Sequence, residues 1–184
     1  MRDGGIGPSH ALLTLPNIIS FARLCAVPLA IWLVLHHRFG SAFALFVAAG
    51  ISDAVDGWLA RRRGGTALGA MLDPLADKAL MMGMYVTLAV IGQLPDWLAM
   101  LVVFRDVLIM GGIMLLWVTS QPAQIAPLAI SKANTALQIT LVALVLGLDA
   151  AGLALDPLRL VMIALVTCST LVSGGAYVVR TARA

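Results

Sequence analysis

A chain of 184 residues suffices for one domain, but 61% hydrophobic and only 11% charged residues leave too little polar surface to cover a water-exposed globule. Soluble domains carry roughly 25% charged residues; with a mean hydropathy of +0.99 here, lipid has to do part of the solvating. The net charge of +3 lacks the long basic stripe or aromatic interleaving of a nucleic-acid surface, and the two cysteines, Cys25 and Cys168, sit in apolar runs rather than in a disulfide framework.

The polar, Gly-rich start through His10 lacks the apolar stretch and cleavage site of a signal peptide, so a mature membrane span is expected from Leu15 onward. A spanning helix needs about 20 mostly apolar residues. Six segments qualify: 15–35, 41–63, 67–92, 97–118, 130–149 and 157–180. His36-His37-Arg38-Phe39-Gly40 separates the first two, Gly64-Gly65 the second and third, and Pro95 restarts the fourth. Pro122 and Pro127 bound a loop, and Asp156-Pro157 opens the last helix. The expectation is an all-α, polytopic membrane protein forming a single domain over 1–184, without a soluble domain or internal repeat. Arg61, Arg62, Arg63, Lys132, Arg180, Arg183 and Arg2 fall on one side of such a six-span chain; Arg38 and Arg159 fall on the other, beside Asp96, Asp149 and Asp156. The first side is therefore expected to be cytoplasmic, with both termini.

The acids are distributed unusually. The chain has nine aspartates and no glutamate, and four of the nine, Asp53, Asp56, Asp73 and Asp77, lie at or near apolar helical segments. A charged Asp at a helix centre costs roughly 2.5–3.5 kcal/mol on the insertion scale, so four together need something positive to neutralise them. Asp53 and Asp56 are i,i+3 and Asp73 and Asp77 are i,i+4, so each pair shares a helical face. The pairs flank the Arg61-Arg62-Arg63-Gly64-Gly65 turn, and antiparallel second and third helices are expected to bring them together. Four hard oxygen donors with no His or Cys nearby suit Mg²⁺ or Mn²⁺, and such a site can bind a diphosphate. Gly57, Ala60 and Gly69 let a ligand or helix approach the backbone, and Arg61 and Thr66 lie where phosphates or a sugar would bind. Acids serving as a transporter's or channel's proton relay would be spread through the membrane depth; these bracket one turn.

The run Asp53-x-x-Asp56-Gly57-x-x-Ala60-Arg61, then Gly69-x-x-x-Asp73-x-x-x-Asp77, resembles the signature of the CDP-alcohol phosphatidyltransferase family. The turn between Arg61 and Gly69, seven residues long, is one shorter than is commonest in that family, which bears on Thr66. The resemblance implies a six-helix membrane fold, usually a homodimer, and residue roles. Asp53, Asp56 and Asp73 would ligate a pair of metal ions. Asp77 would ligate one ion and act as general base on the acceptor hydroxyl. Asp53, Gly57, Ala60, Arg61 and Thr66 would form the site for the CDP part of CDP-diacylglycerol. A bacterial inner membrane, with the active site on its cytoplasmic side, is the expected location.

Further polar residues interrupt the apolar helices: Asn17 and Arg23 in the first, Arg105-Asp106 in the fourth, and Lys132, Asn134 and Gln138 in the fifth. Asn17, Arg23, Arg105, Lys132, Asn134 and Gln138 are candidates for a pocket that takes an anionic headgroup; the bland alternative is hydrogen bonding between helices. Leu72-Asp73-Pro74-Leu75-Ala76-Asp77-Lys78 and Thr14 through Arg23 resemble the subgroup that makes phosphatidylglycerophosphate or cardiolipin. Arg105-Asp106-Val107 with Ser131-Lys132-Ala133-Asn134-Thr135 resembles the mitochondrial-type cardiolipin synthases within it. The implied acceptor is phosphatidylglycerol, with glycerol 3-phosphate as the alternative. His36 and His37, adjacent and hence on different faces, are not expected to bind metal.

Overall fold

A computed structural model describes the backbone of residues 15–63, 67–118 and 129–182 and the side chains of 21–55, 75–111 and 130–177. Among these residues there are six helices and no strand: α1 (Leu15–Leu35), α2 (Phe39–Arg63), α3 (Ala67–Val90), α4 (Asp96–Val118), α5 (Ala129–Ala151) and α6 (Asp156–Ala182). Each coincides with a predicted segment to within two residues at either end.

The ends follow from local chemistry. α1, α3 and α5 each close on one residue in the left-handed region: His37 (φ 55°), Gly92 (φ 77°) and Gly152 (φ 65°). In each, the amide of that residue bonds three residues back and the next amide bonds five back. The pairs are His37 to Val34 with Arg38 to Leu33, Gly92 to Ala89 with Gln93 to Leu88, and Gly152 to Asp149 with Leu153 to Leu148. This is the Schellman closure, which satisfies carbonyls a helix end leaves open. At the start of α4, Pro95 cannot donate but its carbonyl accepts from Leu98 at 3.0 Å. Asp156 and then Pro157 begin α6, a carboxylate near the positive helix end and a ring already set at helical φ.

The helices pack in a closed order, α1 to α2, α5, α6, α4, α3 and back to α1, with a smaller α3–α5 contact across the ring. Among the described residues the largest interface joins α1 and α3. Gly83 permits it, because a Cβ there would lie 3.2 Å from Ile31 Cδ1 and 3.5 Å from Val27 Cγ1. Val34, Met84, Tyr85, Leu88, Leu98, Leu141 and Leu146 fill the centre.

Polarity is inverted relative to a soluble bundle. Val90 is 71% exposed, Met100 68%, Phe104 66% and Leu160 64%, while Arg23, Arg105, Asp106, Asn134, Gln138, Thr170 and Ser173 are all buried. Helices that hide polar groups from one another and turn apolar ones outward fit a lipid surround. Among the described residues, Ile130–Ala151 and Asp156–Tyr177 are long and apolar enough to cross a membrane, with mean hydropathies of 1.5 and 1.7.

Candidate active site

α2 runs unbroken through Arg63 and α3 starts at Ala67, so the i,i+3 and i,i+4 spacings of the aspartates are helical spacings. The side chains of Asn17, Asp56, Ala60, Arg61 and Asp73, the surroundings of Gly57 and the whole of Thr66 lie outside the described residues. Asp53 and Asp77 lie within them. α2 and α3 do not form an extensive mutual interface there, being flanked by α1 on one side and α5 on the other. What separates them is a groove of about 360 Å³. Its walls are Phe46, Val47, Gly50, Ile51 and Ala54 of α2, Asp77, Leu80 and Met81 of α3, and Ile139 and Ala143 of α5. Over these residues α2 and α3 form two walls facing a common apolar space; the ends nearer the turn, where the aspartate pairs are expected to meet, lie largely outside the described side chains. Among the described residues Asp77 is the one acid lining that space, and Asp53 adjoins Ala54 on the opposite wall.

Asp53 is held from one side. Arg23 of α1, its side chain 1% exposed, donates from Nη1 to Asp53 Oδ1 at 2.7 Å, while the Asp53 side chain stays 46% exposed. The arginine neutralises the acid and orients it, and leaves an accessible hard oxygen. Among the described residues no three potential metal-ligating side chains gather; Asp56 and Asp73, which would complete such a set, fall outside them. The two carboxylates that are described suit a hard divalent cation in kind: both are oxygen donors, Asp53 half-exposed beside its arginine and Asp77 on the groove.

A second polar cluster joins α3, α4, α5 and α6. Lys78, the residue after Asp77, donates to Asp106 Oδ2 at 2.6 Å. Arg105 donates from Nη1 to Asp106 Oδ1 at 2.7 Å and from Nη2 to Ser131 Oγ at 2.6 Å and Ser173 Oγ at 2.8 Å. Beside it, Asn134 Oδ1 accepts from Ser169 at 2.6 Å and Thr170 at 2.9 Å. Tyr85 donates to the Gln138 carbonyl at 3.2 Å. The Asn134 Nδ2, Gln138 Nε2 and Arg105 Nε atoms are buried without a hydrogen-bond partner, so this interior holds more donors than acceptors.

The headgroup candidates therefore divide. Arg23 belongs with Asp53; Arg105, Asn134 and Gln138 belong to the second cluster, and Lys132 is exposed. Lys78 and Ser131 stand in the runs Leu72–Lys78 and Ser131–Thr135 without an assigned role, and Ser173 is not among the sequence candidates. Lys78 beside Asp77 is the available signal, a third charge in the same apolar helix, whereas Ser173 is 68 residues from the arginine it serves. At the far end, Arg159 bonds Gln93 at 2.6 Å and Asp149 at 2.7 Å, clamping α6 to α5 and to the α3–α4 turn. His36 stacks on Trp32 and bonds its carbonyl, and His37 closes α1, so both histidines have structural work away from the groove.

The model of the CDP-alcohol phosphatidyltransferase family matches residues 13–176. The chain is 37% identical over 187 aligned positions to the cardiolipin synthase (CMP-forming)/mitochondrial hydrolase fusion protein of Schizosaccharomyces pombe, covering 90% of this chain and 31% of that one. It is 33% identical over 147 positions to the cardiolipin synthase (CMP-forming) of Homo sapiens, covering 71% and 49%. It is also 33% identical over 155 positions to the chloroplastic CDP-diacylglycerol–glycerol-3-phosphate 3-phosphatidyltransferase 1 of Oryza sativa subsp. japonica, covering 74% and 47%. The chain thus spans a third to a half of the length of these relatives. With the signature aspartates on two helices that wall one groove, and a family match reaching from the start of α1 into α6, the chain belongs to the CDP-alcohol phosphatidyltransferase family.

Proposed function

We propose that the chain transfers the phosphatidyl group of CDP-diacylglycerol to phosphatidylglycerol, giving cardiolipin and CMP. The observation that carries this reading is the apolar groove between α2 and α3 with Asp77 on its wall and the buried cationic cluster next to Asp77 in the chain. An acyl chain needs the first, an acidic group at the reacting end the second, and an anionic headgroup the third. Cardiolipin synthase is named in the fission yeast and human relatives. The rice relative supports the second reading, glycerol 3-phosphate as acceptor.

Asp53, Asp56, Asp73 and Asp77 would hold the Mg²⁺ or Mn²⁺ pair. Those ions, when bound, would supply charge neutralisation for the diphosphate and for the departing CMP. Arg23 keeps Asp53 in one orientation, so the carboxylate spends less freedom on being positioned. Gly57, Ala60, Arg61 and Thr66 would receive the cytidine diphosphate part. Asp77 accepts the proton of the acceptor hydroxyl; that oxygen forms a bond to the phosphatidyl phosphorus, and the bond from phosphorus to the CMP oxygen breaks. Arg105, with Lys132, Asn134 and Gln138 around it and Asn17 on α1, would take the acceptor's phosphate and glycerol.

In this reading all six helices cross the membrane, the Arg61–Arg63 turn and both termini are cytoplasmic in a bacterial inner membrane, and two copies form the working unit. The inverted polarity of the helices supports the spanning arrangement, and the basic bias of one end supports the orientation. The test is purified protein with CDP-diacylglycerol, Mg²⁺ or Mn²⁺ and a panel of acceptor alcohols, read by product mass. Cardiolipin is expected from phosphatidylglycerol; phosphatidylglycerophosphate alone would favour the second reading, and no lipid product from any acceptor would refute both.

A further inference from the structure

Three charges meet between α3 and α4: Lys78, Asp106 and Arg105. Asp106, whose side chain is 0% exposed, commits both oxygens, Oδ2 to Lys78 at 2.6 Å and Oδ1 to Arg105 at 2.7 Å. Because Oδ2 is taken, Asp106 holds Arg105 by one nitrogen only. The other terminal nitrogen turns to Ser131 and Ser173, which join it from α5 and α6. A carboxylate alone with an arginine favours the two-point fork, two parallel bonds that cancel the cation and fix its plane. Serine hydroxyls accept a bond without cancelling charge. The arrangement seen here pairs the guanidinium with the carboxylate through one nitrogen only, with a buried Nε that has no hydrogen-bond partner. The formal charges are two positive and one negative, leaving +1 among low-dielectric helices, where an uncancelled charge is costly unless an anion is supplied.

We propose that Lys78 is a positioning residue for acceptor recognition: by occupying Asp106 Oδ2 it keeps Asp106 from forking onto Arg105, and so preserves one positive charge for the acceptor's phosphate. This rests on the phosphatidyl-transfer reading above. Phosphatidylglycerol and glycerol 3-phosphate share the phosphate that Arg105 would meet, so the assignment holds for whichever of them the protein uses. Lys78 acts through Arg105 and touches no reacting atom. Its loss removes one cation and releases a carboxylate oxygen, so the charge falls to zero and the fork forms. Loss of both Lys78 and the Asp106 charge brings the sum back to +1 with no carboxylate left to form it.

The experiment measures KM for the acceptor, KM for CDP-diacylglycerol, kcat and thermal stability in detergent for the parent, Lys78→Met, Lys78→Arg and the double variant Lys78→Met/Asp106→Asn. Both acceptors are offered, and the one the parent uses is followed. Lys78→Met is expected to raise acceptor KM about tenfold while KM for CDP-diacylglycerol stays within about twofold. Lys78→Arg and the double variant are expected to bring acceptor KM back toward the parent value. A purely structural role predicts something else, equal changes in both KM values tracking lost stability. Unchanged acceptor KM in Lys78→Met, equal rises in both KM values, or a double variant worse than the single would each overturn the assignment. If Lys78→Met does not fold, the double variant and Lys78→Arg still decide, since acceptor KM far above the parent in both overturns it. No transfer by the parent to either acceptor overturns the phosphatidyl-transfer reading itself, and this assignment with it.

Discussion

Asp53 and Asp77 are alike in type and unlike in surroundings. Asp53 leans on a buried arginine and Asp77 lines an apolar groove. On α3, Asp77 is also one turn, about 6 Å, beyond Asp73 along the axis, an offset suited to facing the incoming hydroxyl. Asp77→Asn is therefore expected to keep CDP-diacylglycerol binding but to lose roughly 10²–10⁴ in turnover, the span of a general base. Asp53→Asn is expected to lose metal-dependent binding as well. Affinity with metal present and single-turnover rates for both variants separate the roles; equal loss of binding in both would make Asp77 one more ligand. Arg105→Met addresses stability instead. It removes the bonds to Asp106 Oδ1, Ser131 and Ser173 while the Lys78–Asp106 pair remains, so a cost of about 1–3 kcal/mol is expected from buried oxygens left without a donor; a detergent-unfolding midpoint equal to the parent's would contradict it. At this scale the acids were legible because charges are rare in apolar runs. Their partners were not: Arg23 lies 30 residues from Asp53 and Ser131 lies 26 from Arg105, separations no helical period encodes.

The helices themselves were legible to within two residues because apolar length, Pro and Gly mark them directly. Their neighbours were not. The i,i+3 and i,i+4 spacings show which residues share a face, but not that α1 packs most extensively on α3, leaving α2 across a groove from α3. Gly83 is the residue-level cause. Gly83→Ala should be nearly neutral, because the atom it meets is the flexible end of Ile31, whereas Gly83→Val should cost about 1–3 kcal/mol by overpacking the α1–α3 seam. Equal stabilities for the two variants would show that this seam does not depend on a small residue. The hairpin at His37 offers the opposite experiment. Its two counterparts use glycine, and the left-handed conformation costs a residue with a Cβ roughly 1–2 kcal/mol. Part of that gain is returned as extra freedom in the unfolded chain, so His37→Gly should stabilise by about 0.5–1 kcal/mol. A lower melting temperature would indicate that the imidazole, edge-on to Phe39 at 5.6 Å between ring centroids, contributes more than the backbone strain costs.

For the whole molecule, composition already implied lipid, and the fold explains why. The described polar side chains of Arg23, Arg105, Asp106, Asn134 and Gln138 are turned toward other helices, and apolar ones such as Val86 and Val90 of α3, Met100 and Phe104 of α4, and Leu160 of α6 face outward. The signature turn and the Schellman hairpins then lie at opposite ends. In a background with Cys25 and Cys168 replaced, both being exposed, Gly64→Cys and His37→Cys are expected to label from opposite sides of the membrane; same-side labelling would refute six spans. The central claim is chemical, that the acceptor oxygen attacks the phosphatidyl phosphorus and CMP departs. The most direct measurement is the identity of the co-product when purified protein is given CDP-diacylglycerol, phosphatidylglycerol and Mn²⁺. CMP and cardiolipin in equal amounts, both abolished by chelation and restored by added Mn²⁺, are the expected result. Phosphatidic acid as co-product, which attack at the cytidylyl phosphorus would give, or cardiolipin formed at full rate in excess chelator, would contradict it.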